Sequence, residues 1–259
     1  MTQQRLSVVV IAQDEEHQIG RCLDSVAWAD ELLVVDSGSS DRTVEIARLS
    51  DARVVERKWS GYVDQKNAGV DSARYDWILS LDADEWLSEG AAKEIRGLLK
   101  SADLAAHSGY RIRRRTAFCG EFIRTWSRDR PLRLFDRRAG RFAGGSVHES
   151  VKLDAGKAVG TISEPIWHLG YESVRDYVER INLYTSLAAE DLAAQRRRPR
   201  YGKLLLGPVW SCFRNLILRG GILDGWRGAV VAFGSAYYVL LREAKLYERL
   251  SGERRGESD

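Results

Sequence analysis

Asp82 and Asp84 stand one small residue apart in Leu81-Asp82-Ala83-Asp84-Glu85, directly after the apolar run Trp77–Leu81. In an extended chain that spacing sends both carboxylates to the same side. Oxygen ligands so placed suit Mg2+ or Mn2+, which take one or two protein carboxylates and complete their shell with water and substrate phosphates. Such a cation acts as a Lewis acid on a departing diphosphate. Asp36 follows a second apolar run, Leu32–Val35, and Gln13, Asp14 and Glu15 follow a third that begins at Leu6. Carboxylates gathered on one edge repel each other unless a cation or hydrogen-bond donors compensate. An isolated Asp-x-Asp reads as a solvated acidic turn, but its place after a buried-looking strand, with Asp36 at another strand end, points to a site. The segment Asp36-Ser37-Gly38-Ser39-Ser40-Asp41 also reads as a turn and helix cap.

The apolar runs that end in these residues alternate with helical patterns. Short strands are expected at Leu6–Ile11, Leu32–Val35, Val54–Val55 and Trp77–Leu81, and helices at Ile19–Val26, Thr43–Leu49 and Tyr62–Ala73. That alternation is the signature of β-α-β units and predicts an α/β fold with a mostly parallel, Rossmann-like sheet flanked by helices. In open sheets of this kind ligands bind beyond the carboxyl ends of the strands, where all three acidic ends fall. Asp41 gives a helix start, and Glu89–Leu99 reads as a further helix. From Tyr110 to about Trp167 the pattern changes to short strands rich in Arg, Phe and Gly. Ser173–Gln195 is helical, and Arg196-Arg197-Arg198-Pro199-Arg200 breaks the chain before a last apolar, Trp-rich segment.

A chain of 259 residues, 44% hydrophobic, is long enough for one substantial core and an appendage. Its formal net charge of +3 excludes the uniformly basic face of a nucleic-acid binder. Cys22, Cys119 and Cys212 form no paired spacing, so neither a disulfide framework nor a zinc site is expected, and a reducing cytoplasm fits. The first apolar run meets Gln13-Asp14-Glu15-Glu16 at once and reads as a strand, not a signal peptide. No stretch reaches the ~18 apolar residues of a membrane span. The nearest, Ala229–Leu241, carries Gly234 and Ser235.

Taken together, Ser7–Glu16, Val34–Thr43 and Leu81–Glu85 resemble glycosyltransferase family 2. Lys66-Asn67-Ala68-Gly69, Arg133-Leu134-Phe135, Val147-His148-Glu149 and His168-Leu169-Gly170-Tyr171 resemble the subgroup of inner-core glucosyltransferases of bacterial lipopolysaccharide. The resemblance implies a nucleotide-diphospho-sugar transferase (GT-A) fold and an inverting single displacement from a nucleotide-sugar donor. It implies a catalytic domain over residues 1–172, with a nucleotide-sugar half to about 105 and an acceptor half from about 106, then a helical extension over 173–259. Ala12, Gln13, Glu15 and Asp36 would line the base and ribose pocket, with Lys66 nearby. Asp82 would approach ribose and metal, and Asp84 would bind the metal more directly. Ala12-Gln13-Asp14 stands where many relatives have Pro-Thr-Tyr-Asn, which removes an aromatic that could stack on the base; UDP-glucose remains the expected donor.

An inverting transfer needs a base opposite the diphosphate, because the acceptor hydroxyl loses its proton as it attacks. Glu149, after the Gly144-Gly145 bend, is the candidate, and a salt bridge to a nearby arginine is its alternative. Asp129 and Glu121 are further candidates. His148 reads as structural. His168 reads either as a further metal ligand, as its setting resembles a metal-ligating loop of fold relatives, or as a packed residue beside Trp167.

Between Arg196 and Arg227 eight basic residues are interleaved with Leu, Val, Trp, Phe and Ile, and Asp224 is the one acid. That composition suits an anionic membrane interface; packing on the catalytic domain or dimerisation is the alternative. The acceptor implied by the resemblance is a glycolipid or saccharide, which puts the enzyme on the cytoplasmic face of the inner membrane as a peripheral protein. Rival readings are a phosphohydrolase, a polyprenyl-phosphate glycosyltransferase and a non-catalytic membrane-associated scaffold.

Overall fold

The computed structural model describes residues 4–145 and 149–256, with backbone alone from 252 on. The first half of the chain alternates as its apolar runs predict: β1 (Leu6–Ala12), α1 (Ile19–Asp24), β2 (Glu31–Asp36), α2 (Thr43–Leu49), β3 (Arg53–Glu56), α3 (Tyr62–Ser72) and β4 (Trp77–Asp82). Then follow β5 (Glu85–Leu87), α4 (Glu89–Leu98), β6 (Gly109–Phe118), β7 (Glu121–Phe122), β8 (Leu132–Asp136), β9 (Gly140–Ala143), β10 (Ser150–Leu153) and β11 (Val159–Tyr171). Three helices close the chain: α5 (Val174–Ala194), α6 (Tyr201–Phe213) and α7 (Gly225–Gly256).

The main sheet runs β3-β2-β1-β4-β8-β6-β11-β5, with β7 on β6, and β9 and β10 form a separate hairpin. β3, β2, β1 and β4 are mutually parallel. β8 joins β4 antiparallel, β6 joins β8 likewise, and β5 pairs antiparallel with β11. The change of sense has a simple cause. Parallel neighbours need a crossover element, and helices supply it only up to β4; beyond about residue 109 strands follow one another without helices between them and pair antiparallel, and where short strands were expected β6 has 10 residues and β11 has 13.

Alternate residues of β1 feed two cores, as a strand buried on both faces must. Leu6, Val8, Val10 and Ala12 pack with Ile19 and Leu23 of α1, Ala47 of α2 and Ile95 of α4. Val9 packs with Leu33, Ile78, Val70 and Phe135.

Two compact units divide the described residues. One holds those up to Arg115, Arg128–Gly144 and those as far as Leu169; the other holds Thr116–Ser127 and the residues from Gly170 on. In the second, Phe118 and Ile123 pack with Tyr177 and Ile181 of α5 and Val231 of α7. Ser173 caps α5 by accepting the Asp176 N–H, and Arg196, at φ 54, stands just past its end.

Glu31, buried at the head of β2 and paired with Ser7 of β1, ties three segments together. It accepts from the Ser7 hydroxyl at 2.6 Å, the Arg53 guanidinium at 2.7 Å and the Arg74 N–H at 2.7 Å. Burial alone would raise its pKa, but these donors outweigh burial and hold it below the usual carboxylate value. A carboxyl lowered on folding stabilises above its unfolded pKa, and that contribution is lost as pH falls through the folded one. Glu31→Gln is therefore expected to cost about 1–3 kcal/mol near neutral pH. In urea unfolding, the gap to wild type should close as pH drops below about 4.

Candidate active site

The ends of three parallel strands lie level at one edge of the sheet. Ala12 pairs with Asp36 and Ile11 pairs with Asp82, so the residues after β1, β2 and β4 emerge side by side. The segments after β1 and β2 are stitched together. The Asp14 N–H donates to Ser39 Oγ at 2.9 Å, the Ser40 N–H to Asp14 Oδ1 at 2.7 Å, the Glu15 N–H to Thr43 Oγ1 at 2.7 Å, and the Glu16 N–H to Asp41 Oδ2 at 3.0 Å. Asp36 is buried, and its carboxylate accepts the Gly38 and Ser39 N–H groups, both at 2.9 Å, and the Ser39 hydroxyl. Gly38 sits at φ 94, a conformation that favours glycine. Asp36 thus builds the turn it begins, while Ala12 is buried beside it, Glu15 is half-buried and Gln13 is exposed.

Beyond β4 the carboxylates are held by a chain of alternating charges. Glu149 Oε1 and Asp82 Oδ1 each lie 2.8 Å from Lys66 Nζ, whose side chain is 3% exposed. Asp82 Oδ2 accepts from Arg133 at 2.7 Å, and the same Arg133 nitrogen reaches Glu85 Oε1 at 2.6 Å. Arg114 continues the chain, at 3.2 Å from Glu85 and 2.7 Å from Asp129. Burial would raise the Asp82 pKa, but Arg133 and Lys66 overcome it and hold the carboxyl well below its usual range. Glu85 is fully buried, and its second oxygen accepts the Asp82 N–H at 3.1 Å.

The expectation that Asp82 and Asp84 project together from one extended segment is corrected here. β4 ends at Asp82, and Ala83 and Asp84 turn the chain into β5, so strand alternation does not carry across. Asp82 faces Lys66 and Arg133, whereas Asp84 Oδ2 lies 3.1 Å from His168 Nε2. β11 brings that histidine: His168 pairs with Glu85, and the Leu169 N–H donates to the Asp84 carbonyl at 3.2 Å. Burial disfavours the charged imidazole, but the Asp84 charge and hydrogen bond, with Glu85 behind them, raise the His168 pKa above its ordinary value. Among the described residues no group of three or more His, Cys, Asp or Glu side chains gathers as a metal cluster.

Lys66 reaches this position because α3 lies close on β1. A Cβ on Gly69 would stand 2.4 Å from Val9 Cγ1, so glycine permits the approach. Asn67, next along α3, binds both backbone groups of Phe142 at 3.0 Å, which fixes the β9–β10 hairpin against the helix. Glu149 directly precedes β10 and so meets Lys66. Its ionic partner is this lysine, where the sequence pointed to an arginine. His148 lies outside the described residues. Asp129 is engaged by Arg114, and Glu121 is exposed on β7.

The family model for glycosyl transferase family 2 matches residues 7–150. The chain belongs to glycosyltransferase family 2. Its mixed sheet with flanking helices is the GT-A fold, followed by C-terminal helices. An uncharacterized glycosyltransferase of Rickettsia bellii is 30% identical over 94% of this chain and 86% of its own. The lipopolysaccharide core biosynthesis glycosyltransferase LpsC of Rhizobium meliloti is also 30% identical, over 94% of this chain and 92% of its own. Among solved structures, glucosyl-3-phosphoglycerate synthase from Mycobacterium tuberculosis in complex with Mn2+, UDP and glucosyl-3-phosphoglycerate is 25% identical over 44% of each chain, with a TM-score of 0.37.

In this family 2 glycosyltransferase, Glu85, Arg133 and Arg114 are site residues to which sequence reasoning gave no role. One signal was present: Arg133 is a lone charge in the apolar run Leu132–Phe135, and a charge buried in a strand needs a counter-charge. Arg133→Met leaves Glu85 buried without its nearest cation and is expected to cost about 3–5 kcal/mol in urea unfolding. Adding Glu85→Gln to it should cost less than the sum of the two single changes.

Proposed function

We propose that this glycosyltransferase is an inverting hexosyltransferase dependent on Mg2+ or Mn2+. It moves glucose from UDP-glucose onto a hydroxyl of the lipopolysaccharide inner core or a related bacterial glycan, at the cytoplasmic face of the inner membrane. The similarity to the core biosynthesis enzyme of Rhizobium meliloti over most of both chains supports the acceptor class. No described helix is long and apolar enough to cross a membrane.

The observation that carries the chemistry is the pairing of Asp84 with His168, next to Asp82, Lys66 and Glu149. Asp84 Oδ2 and His168 Nε2 lie 3.1 Å apart and would be the groups to hold the cation, the carboxylate being a donor that suits Mg2+ or Mn2+. With two protein ligands, the remaining positions go to water and diphosphate oxygens. When bound, the cation supplies Lewis-acid stabilisation of the departing diphosphate.

In this reading the chain's own groups divide the task. Ala12, Gln13, Glu15 and Asp36 line the nucleotide's base and ribose, with Lys66 nearby, and Asp82 stands by ribose and metal. Glu149 accepts the proton of the acceptor hydroxyl as its oxygen bonds to the anomeric carbon and the bond from that carbon to the diphosphate breaks. Lys66 orients the Glu149 carboxylate for that transfer.

Calorimetric titration of wild type and Asp84→Ala with UDP, GDP and CDP, with Mn2+ and with chelator, tests the donor side. Metal-dependent binding of UDP that Asp84→Ala abolishes is expected; well-folded wild type that binds none of the three contradicts the reading. On the acceptor side, Glu149→Gln should lower kcat by about 100- to 10,000-fold while leaving UDP affinity nearly unchanged. Turnover unaffected by Glu149→Gln would point instead to a polyprenyl-phosphate acceptor, whose oxygen needs no deprotonation.

A further inference from the structure

We propose that α6 and the turn after it lie in the interface of an anionic lipid bilayer, with Leu206, Val209, Trp210, Phe213 and Ile217 turned into the acyl boundary. These five stand at i, i+3, i+4, i+7 and i+11 and are all exposed, Trp210 by 56% and Phe213 by 47%. The same helical stretch turns polar side chains inward: Ser211 is 4% exposed and Asn215 2%, and the Asn215 amide donates to the Ser211 carbonyl at 2.8 Å. A helix of a water-soluble protein buries its apolar stripe and exposes its polar one. Here Ser211 and Asn215 are covered while five large apolar side chains face outward, an arrangement that an apolar medium outside would stabilise.

Charge selects the occupant. Arg200, Lys203 and Arg214 are exposed around the stripe, and no acid occurs between Arg196 and Leu223. Asp224, the first acid after it, accepts the backbone N–H groups of Arg124 and Thr125. An anionic headgroup layer complements this rim. A second copy of the chain in a two-fold interface would set the same basic rim against itself. Because no described helix is long and apolar enough to span a bilayer, the segment lies in the plane of the interface.

The inference rests on the C-terminal helices alone and is independent of the donor, the metal and the role of Glu149. Its test is sedimentation of the full chain with vesicles of phosphatidylcholine, with and without phosphatidylglycerol. Binding to the anionic vesicles, about tenfold or more tighter than to the neutral ones and weakened by salt, is expected. A Trp210→Ser/Phe213→Ser variant, whose sites are exposed, should keep its circular dichroism and lose about tenfold or more in vesicle affinity. Lys203→Glu/Arg214→Glu should lose the preference for anionic lipid. Asp84→Ala should bind vesicles as wild type does, whatever it does to nucleotide binding. Folded wild type that stays in the supernatant at low salt, or a serine variant that binds as tightly as wild type, overturns the proposal. So does a wild-type dimer that ignores vesicles and is split by the serine substitutions, which would make the occupant a second copy.

Discussion

Four carboxylates, Asp82, Asp84, Glu85 and Glu149, are concentrated where the sheet's central strand β4 ends, and most of this site is withdrawn from water. Left alone they would repel one another. Lys66 and Arg133 prevent this by standing between them, so that each cation touches two carboxylates and each of Asp82 and Glu85 touches two cations. Removing one member leaves a buried charge without its partner, which costs more than the pair contributes when intact. The surrounding elements supply what this arrangement requires: α3 brings Lys66 within reach, β8 carries Arg133, and the β9–β10 hairpin delivers Glu149.

The division of labour among the carboxylates follows from who holds them. Both oxygens of Asp36 are engaged by its own turn, and both of Glu85 are engaged by arginines and a backbone N–H. These contacts fix the strand ends from which the neighbouring residues emerge. Asp84 faces the His168 imidazole, its partner in the proposed cation site. Glu149 sits at the opposite end of the Lys66 bridge from Asp82; in the proposed function that lysine links the donor side to the acceptor side.

Much of this was legible in the sequence, for local reasons. Apolar runs bounded by acidic or glycine-rich turns placed β1, β2 and β4 within a residue of their ends, and the apolar periodicity placed α2, α3 and α4 as closely. The acidic strand ends belong to the same legible part, whereas the sequence left His168 between a metal ligand and a packed residue, and its contact with Asp84 comes from the pairing of β11 with β5. What could not be read was decided by partners far along the chain. β5 exists because β11, some eighty residues on, pairs with it; locally Asp82–Glu85 looks like one acidic segment. That strand is what turns Asp84 away from Asp82. The Lys66 bridge depends on the close approach of α3 to β1 at Gly69, a contact without a sequence period. The inverted polarity of α6 was visible only as composition, because which of its faces is covered is a matter of packing.

Lys66 couples Asp82 to Glu149 across the buried site. A double-mutant cycle of Asp82→Asn and Glu149→Gln on unfolding free energy, run in wild type and again in Lys66→Met, measures this directly. A coupling of about 0.5–3 kcal/mol is expected in wild type and is expected to vanish when Lys66 is replaced. Effects that add to within about 0.5 kcal/mol in wild type, or a coupling that survives Lys66→Met, would contradict it.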